Sequence, residues 1–338
     1  MGLARHSLLL LAAGIIAAGG CEQSPTAPAS SRHGAIRGIT LVDWSADGYS
    51  RPETNASLQA VAATGANTVV IIVTAYQSDT ASNVVRGDDP RTPSAPSVAQ
   101  AITWARALGL SVTLKPHVDV DSGAWRALIA PSNAAQWFES YRDFLFSWAS
   151  FAATHGVSRL VVGTELAGTL QHEAEWNETI RRVRGVFSGE LVYAASWDEA
   201  ALVPFWKQVD VVGVDFYGAV AQRTTPGRLE ILAAWQPWLD RLQLLHRQTG
   251  RDIFFTEIGY RSVDGAGMNP HDFVSDAPAD PGEQADLYWA ALEAAASRPW
   301  IVGLSWWDWP AAGASAADQQ YSPRGKPAEA ELIASWKP

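Results

Sequence analysis

The chain has 338 residues, 47% of them hydrophobic and 18% charged, a balance that excludes a disordered polypeptide and supplies a sizeable core. Its formal net charge of -10 argues against nucleic acid or an anionic membrane surface as the main partner. The 16 Trp are an unusual load: a core uses some, and flat indole faces also stack on the C–H faces of pyranose rings.

The N-terminus reads as a targeting segment. Arg5 and His6 precede an apolar run, Leu8 to Ala18, of signal-peptide length and too short for a comfortable transmembrane helix. The run ends in AAGGC, and the small residues before Cys21, the single cysteine, resemble a bacterial lipobox. Residues 1–20 are therefore expected to be a lipoprotein-type signal peptide, with Cys21 lipidated and the product exported and membrane-anchored. The alternative is an ordinary signal peptide followed by a chance Cys. One thiol permits neither an intramolecular disulfide nor a thiolate metal cluster. Residues 21–33, rich in Ser, Pro, Ala and Thr, read as a flexible tether, and 34–338 as one catalytic domain.

From Ile36 onward strand-like runs alternate with helical patterns. Strands are expected at 36–42, 68–74, 110–116, 159–164, 191–195, 209–214, 252–256 and 301–306. Helices are expected at 56–64, 97–108, 133–155, 173–187, 199–206, 228–248, 281–297 and 328–336. Gly65, Gly109, Gly156 and Gly250 sit where left-handed helix C-caps are needed. Eight β/α pairs match a single-domain (β/α)8 TIM barrel. A doubly wound sheet would carry a Gly-rich phosphate turn after an early strand, and none is present.

In a barrel, chemistry belongs at the C-terminal ends of the strands. In chain order those ends carry Asp43 and Trp44; Tyr76; Lys115, His117, Asp119 and Asp121; Glu165; Trp197 and Asp198; Asp215 and Tyr217; Glu257 and Tyr260; and Trp306 to Trp309. Glu257 follows the apolar run Ile253 to Thr256, and Glu165 follows Arg159 to Thr164. A carboxylate placed straight after a buried strand is costly without a purpose. Strands 4 and 7 lie across the barrel from one another, so the two Glu can face each other at its mouth. Retaining glycosidases need two carboxyl groups about 5–5.5 Å apart, one nucleophile and one acid/base. The bland alternative pairs each Glu with Lys115 or Arg261. One of Trp306 and Trp307 is expected to form a platform under the sugar, since adjacent strand residues face opposite ways. Tyr217 either donates to Glu257 or is satisfied elsewhere. Lys115 and His117 are candidates for hydroxyl binding or for setting carboxylate charge, and Trp44, Trp197 and Asp215 are candidate subsite residues. Asp119, Asp121, Asp264, Asp272 and Asp276 lack an EF-hand's ligand order and read as solvated loop acids, so no metal is expected.

The segments VVGTEL, VDVVGVDFYG, FFTEIGY and GLSWWDW resemble the clan of retaining (β/α)8 glycoside hydrolases, and within it glycoside hydrolase family 113, whose described activity is endo-β-1,4-mannanase. The resemblance implies Glu165 as general acid/base and Glu257 as nucleophile, a β-1,4-linked mannan or glucomannan substrate, and no cofactor. A monomer is expected, touching membrane only through its lipid. Many clan members have Asn immediately before the acid/base, where it contacts the sugar 2-hydroxyl; this chain has Thr164. A β-glucanase or exo-β-glycosidase of the same clan, and a non-catalytic glycan-binding lipoprotein, are the competing readings.

Overall fold

A computed structural model describes residues 35–313 and 316–337. The signal segment, Cys21 and the tether lie outside these residues. Eight parallel strands close into a barrel in sequence order: β1 Ile36–Val42, β2 Thr68–Gln77, β3 Ser111–Val120, β4 Arg159–Thr164, β5 Glu190–Ser196, β6 Val211–Phe216, β7 Ile253–Ile258 and β8 Ile301–Pro310. The ring shuts where Ile36 of β1 registers with Gly303 of β8. The helices are α1 Pro52–Ala63, α2 Ala95–Ala107, α3 Ala134–Thr154, α4 Glu173–Arg184, α5 Arg228–Ala234, α6 Gln236–Thr249, α7 Pro281–Ala296 and α8 Pro327–Trp336.

The strands are apolar on both faces because both faces are covered. In β2, Val69, Ile71, Val73 and Ala75 join the large core shared with the helices, while Val70 and Ile72 pack with Val42 and Trp307. Ile36, Val161, Val192, Ala194, Val211 and Phe254 form a separate apolar cluster. Polar side chains are also enclosed: Thr40 and Ser305 share a 2.8 Å hydrogen bond, and Lys115 and Asp215 are fully buried.

Gly65, Gly109, Gly156 and Gly250 all have positive φ, as their cap positions require. Two expected helices differ. The stretch 199–206 forms only a 3-10 turn at Ala200–Leu202, followed after Pro204 by another at Trp206–Gln208, because the residue before a proline is driven out of the helical region. The expected helix 228–248 divides at Trp235 into α5 and α6, since Pro237 lacks the N–H a continuous helix would use.

The tryptophan load is largely structural. Nine of the 16 are buried. Trp137 stacks on Tyr141, and Trp176 packs among Phe138, Tyr193 and Phe205, a wall behind β4 and β5. Tyr141 Oη donates to the Val162 carbonyl and thereby pins β4 to α3.

Candidate active site

Glu257 reaches the barrel mouth through a break in strand register. On β6, Val214 pairs with Phe255 but the next residue, Asp215, pairs with Glu257, so β7 carries one extra residue there. A bulge of this kind redirects a side chain. Both consecutive residues then serve the same network: Thr256 Oγ1 donates to Asp215 Oδ1 at 2.7 Å, and Glu257 Oε1 accepts from Lys115 Nζ at 2.5 Å. Lys115 also bonds Asp215 Oδ1 at 2.8 Å, and Tyr217 Oη donates to Glu257 Oε2 at 2.9 Å. Both oxygens of Glu257 are thus held, one by a donor on β3 and the other by a donor just past β6.

Burial works against the Lys115 ammonium, but Asp215 and Glu257 outweigh it and keep its pKa above the ordinary lysine value. Burial, and then the nearby Glu257 charge, raise Asp215. Burial, reinforced by Glu257, holds the Tyr217 phenol well above its usual range, so it remains a donor.

Glu165 stands at the end of β4 with φ of 50°, in the left-handed region that a non-glycine residue occupies only under constraint. The constraint is visible: Glu165 N donates to the Ala194 carbonyl of β5, and Leu166 N donates to Tyr193 Oη. Glu165 Oε2 accepts from Trp125 Nε1 and from Arg126 Nη1, each at 3.3 Å. Arg126 Nη2 in turn donates to Asp119 Oδ1 at 2.6 Å. Burial raises the Glu165 pKa; Arg126 opposes this, and the Glu257 charge adds to it. A neighbouring like charge and burial are what keep one of two carboxyls protonated near neutrality.

His117 is buried and stacks on Trp307, with ring centroids 6.2 Å apart. Its Nε2 lies 3.6 Å from Glu257 Oε1. Burial, with Arg126 and Lys115 nearby, drives its pKa well below the usual histidine value, so it is neutral. Trp307 is half-buried at the mouth, and it takes the inward place of the pair. Trp306 is a correction: it is fully buried and stacks on Tyr288 of α7, with centroids 3.7 Å apart, so it is barrel packing and cannot be a sugar platform. Trp197 is half-buried, edge-on to Tyr217 and stacked on His271. Trp44 is exposed at the end of β1. Thr164 donates to the Pro116 carbonyl, which orients its hydroxyl into the barrel wall.

Two of the acids expected to be solvated loop residues differ, and Asp119 lies within β3. Asp119 pairs with Arg126, and Asp121 with Arg86 and Arg91, so neither is merely solvated. Trp125 and Arg126 also reach the site; they follow Asp121, just past the exit of β3, in a connection whose course the sequence does not reveal. Among the described residues Arg261 meets neither Glu165 nor Glu257 and instead donates to the Gln319 and Ser275 carbonyls. Among the described residues, Asp264, Asp280 and Glu283 bring carboxylate oxygens within 4.8 Å of one another. Both Glu283 oxygens already accept backbone N–H groups, from Gly265 and Gly267.

The family model for Glycoside Hydrolase Family 113 matches residues 40–326. A complex structure of a GH113 β-1,4-mannanase superposes with a TM-score of 0.84 at 26% identity, covering 90% of this chain and 99% of that one. The GH113 β-mannanase AaManA from Alicyclobacillus acidocaldarius, in complex with ManMIm, gives 0.83 at 29% identity, covering 90% and 98%. A β-glucuronidase from Ruminococcus gnavus gives 0.60 at 11% identity over 90% of this chain and 51% of that one, a likeness of fold alone. No curated protein matches the chain.

Proposed function

This chain belongs to glycoside hydrolase family 113, and we propose that it is a retaining endo-β-1,4-mannanase with Glu257 as nucleophile and Glu165 as general acid/base. The observation that carries the role assignment is the unequal partnering of two buried carboxyls at the β4 and β7 ends. Glu257 receives a buried ammonium and a phenol on its two oxygens. Glu165 is desolvated and has both its donors on one oxygen. The mannan preference rests on the two family structures, each described as a β-mannanase.

In the first step Glu257 attacks the anomeric carbon as a carboxylate. The bond from that carbon to the leaving oxygen breaks as Glu165 delivers a proton to that oxygen. A glycosyl ester of Glu257 results. Water then attacks the same carbon, Glu165 takes its proton, and the ester bond breaks to regenerate the Glu257 carboxylate. Two inversions retain configuration. Lys115 and Tyr217 hold the Glu257 carboxylate ready for attack, and Trp307 offers the platform for the sugar at the cleavage point.

Residues 34–338 acting on β-1,4-manno-oligosaccharides should release products of retained configuration, with cello-oligosaccharides as the comparison. Glu165→Ala and Glu257→Ala should each lose turnover by about three or more orders of magnitude. Added azide separates the roles. With an activated aryl β-mannoside, Glu257→Ala should yield the α-mannosyl azide, because azide takes the nucleophile's place. Glu165→Ala should yield the β-azide, because azide replaces water in the second step. The reverse pattern would exchange the two roles, and cleavage of cellosides alone would overturn the substrate.

We further propose that the enzyme is exported and anchored through a lipid on Cys21. Cells fed a clickable fatty acid should label the full chain and not Cys21→Ala; equal labelling of both would refute the anchor.

A further inference from the structure

We propose that Arg126, braced by Asp119, is a positioning residue for Glu165 that fixes which oxygen carries the transferable proton and sets the pH range of the acid step. This deepens the reading above and rests on Glu165 being the acid/base.

The geometry is asymmetric. Trp125 Nε1–H and Arg126 Nη1–H both point at Oε2 of Glu165. A proton on Oε2 would face two donors and no acceptor, so the neutral carboxyl carries its proton on Oε1. Arg126 is a two-ended strut: one terminal nitrogen meets Glu165 and the other meets Asp119. The connection between β3 and α3 therefore places a cation, with its own counter-charge, against the acid. The anion of Glu165 is the state needed for the second step, and the neutral form is needed for the first. A full unpaired cation would favour the anion too strongly; Asp119 moderates it.

Other charged and titratable groups also act on Glu165. Lys115 stands on β3, Tyr193 on β5 with Glu199 just beyond it, Asp215 on β6 and Glu257 on β7; His117 on β3 faces Glu257. Lys115 is already committed to Asp215 and Glu257, and His117 is neutral. Arg126 is the cation that touches Glu165 directly.

The test uses Arg126→Met, Arg126→Lys and Asp119→Asn in the residue 34–338 enzyme. Removing the cation disfavours the carboxylate, so in Arg126→Met the alkaline limb of kcat/KM on mannotetraose should move up by about one pH unit. Asp119→Asn leaves the cation uncompensated, and the limb should move down. Arg126→Lys should lie near wild type. With a dinitrophenyl β-mannobioside, whose leaving group needs no proton, the Arg126→Met displacement of kcat/KM should vanish. A 13C NMR titration of the Glu165 side-chain carboxyl, which needs no substrate, should show the same two opposite displacements. Uniform loss of activity with unmoved limbs, or displacement of both variants in one direction, would make Arg126 a scaffold residue and overturn the proposal. A wild-type enzyme that cleaves no manno-oligosaccharide refutes the mannanase reading instead, and the NMR arm still decides whether Arg126 governs Glu165.

Discussion

Trp125 leaves 42% of its surface exposed while its ring N–H touches the acid/base candidate. A leaving sugar must pass beside that carboxyl, which places the indole face against it. Trp125→Ala should therefore lower kcat/KM on manno-oligosaccharides by about tenfold, the upper end of what an aromatic face contributes. Trp125→Phe keeps an aromatic face and should recover most of that loss. β-Mannobiosyl fluoride, whose leaving group has no ring, should respond much less to Trp125→Ala; an equal loss would show that the indole does not serve the leaving side. Individual residues were unevenly legible. Glu165 and Glu257 stood out because each follows an apolar strand. Trp125 and Arg126 did not, because their place at the site depends on how a loop folds back. Between Trp306 and Trp307, alternation predicts one inward and one outward, and only the presence of Tyr288 on α7 decides which.

At the scale of elements, two strand exits depart from regular geometry where the carboxylates sit. β7 bulges at Thr256 and Glu257, and β4 slips its register against β5 between Val161 and Thr164. Strand content could be read from apolar runs, but a one-residue insertion in the register leaves no mark in composition. The missed helix breaks had a visible cause in Pro204 and Pro237, which the apolar pattern overrode. The slipped end of β4 depends on close packing: a Cβ on Gly163 would come within 2.7 Å of both the Trp176 and Tyr193 rings. Gly163→Ala should destabilise the domain by about 1–3 kcal/mol through overpacking, seen as an earlier cooperative transition in thermal unfolding. It should also reduce kcat before KM, because Tyr193 supports the backbone next to Glu165. An unchanged melting temperature would mean that the aromatic wall yields freely.

For the whole molecule, the closed barrel was the most legible feature, since eight strands buried on both faces produce eight apolar runs. The surplus of tryptophan divides between the two uses expected of it: most of it fills the space between strands and helices, and a few rings are left at the mouth for a ligand. Composition counts rings but does not say which side of a wall they occupy. The Lys115 network has a wider consequence. Its ammonium is shared by the side chains of Asp215 and Glu257 at full burial; when Glu257 becomes an ester, the charge that raises Asp215 is gone, and Asp215 becomes the anion that the cation faces. The barrel thus carries a resident counter-ion that changes partner during turnover without entering or leaving. Because screening by dissolved salt acts on exposed charges far more than on buried ones, the electrical balance of the reaction is insulated from the ionic strength of the medium.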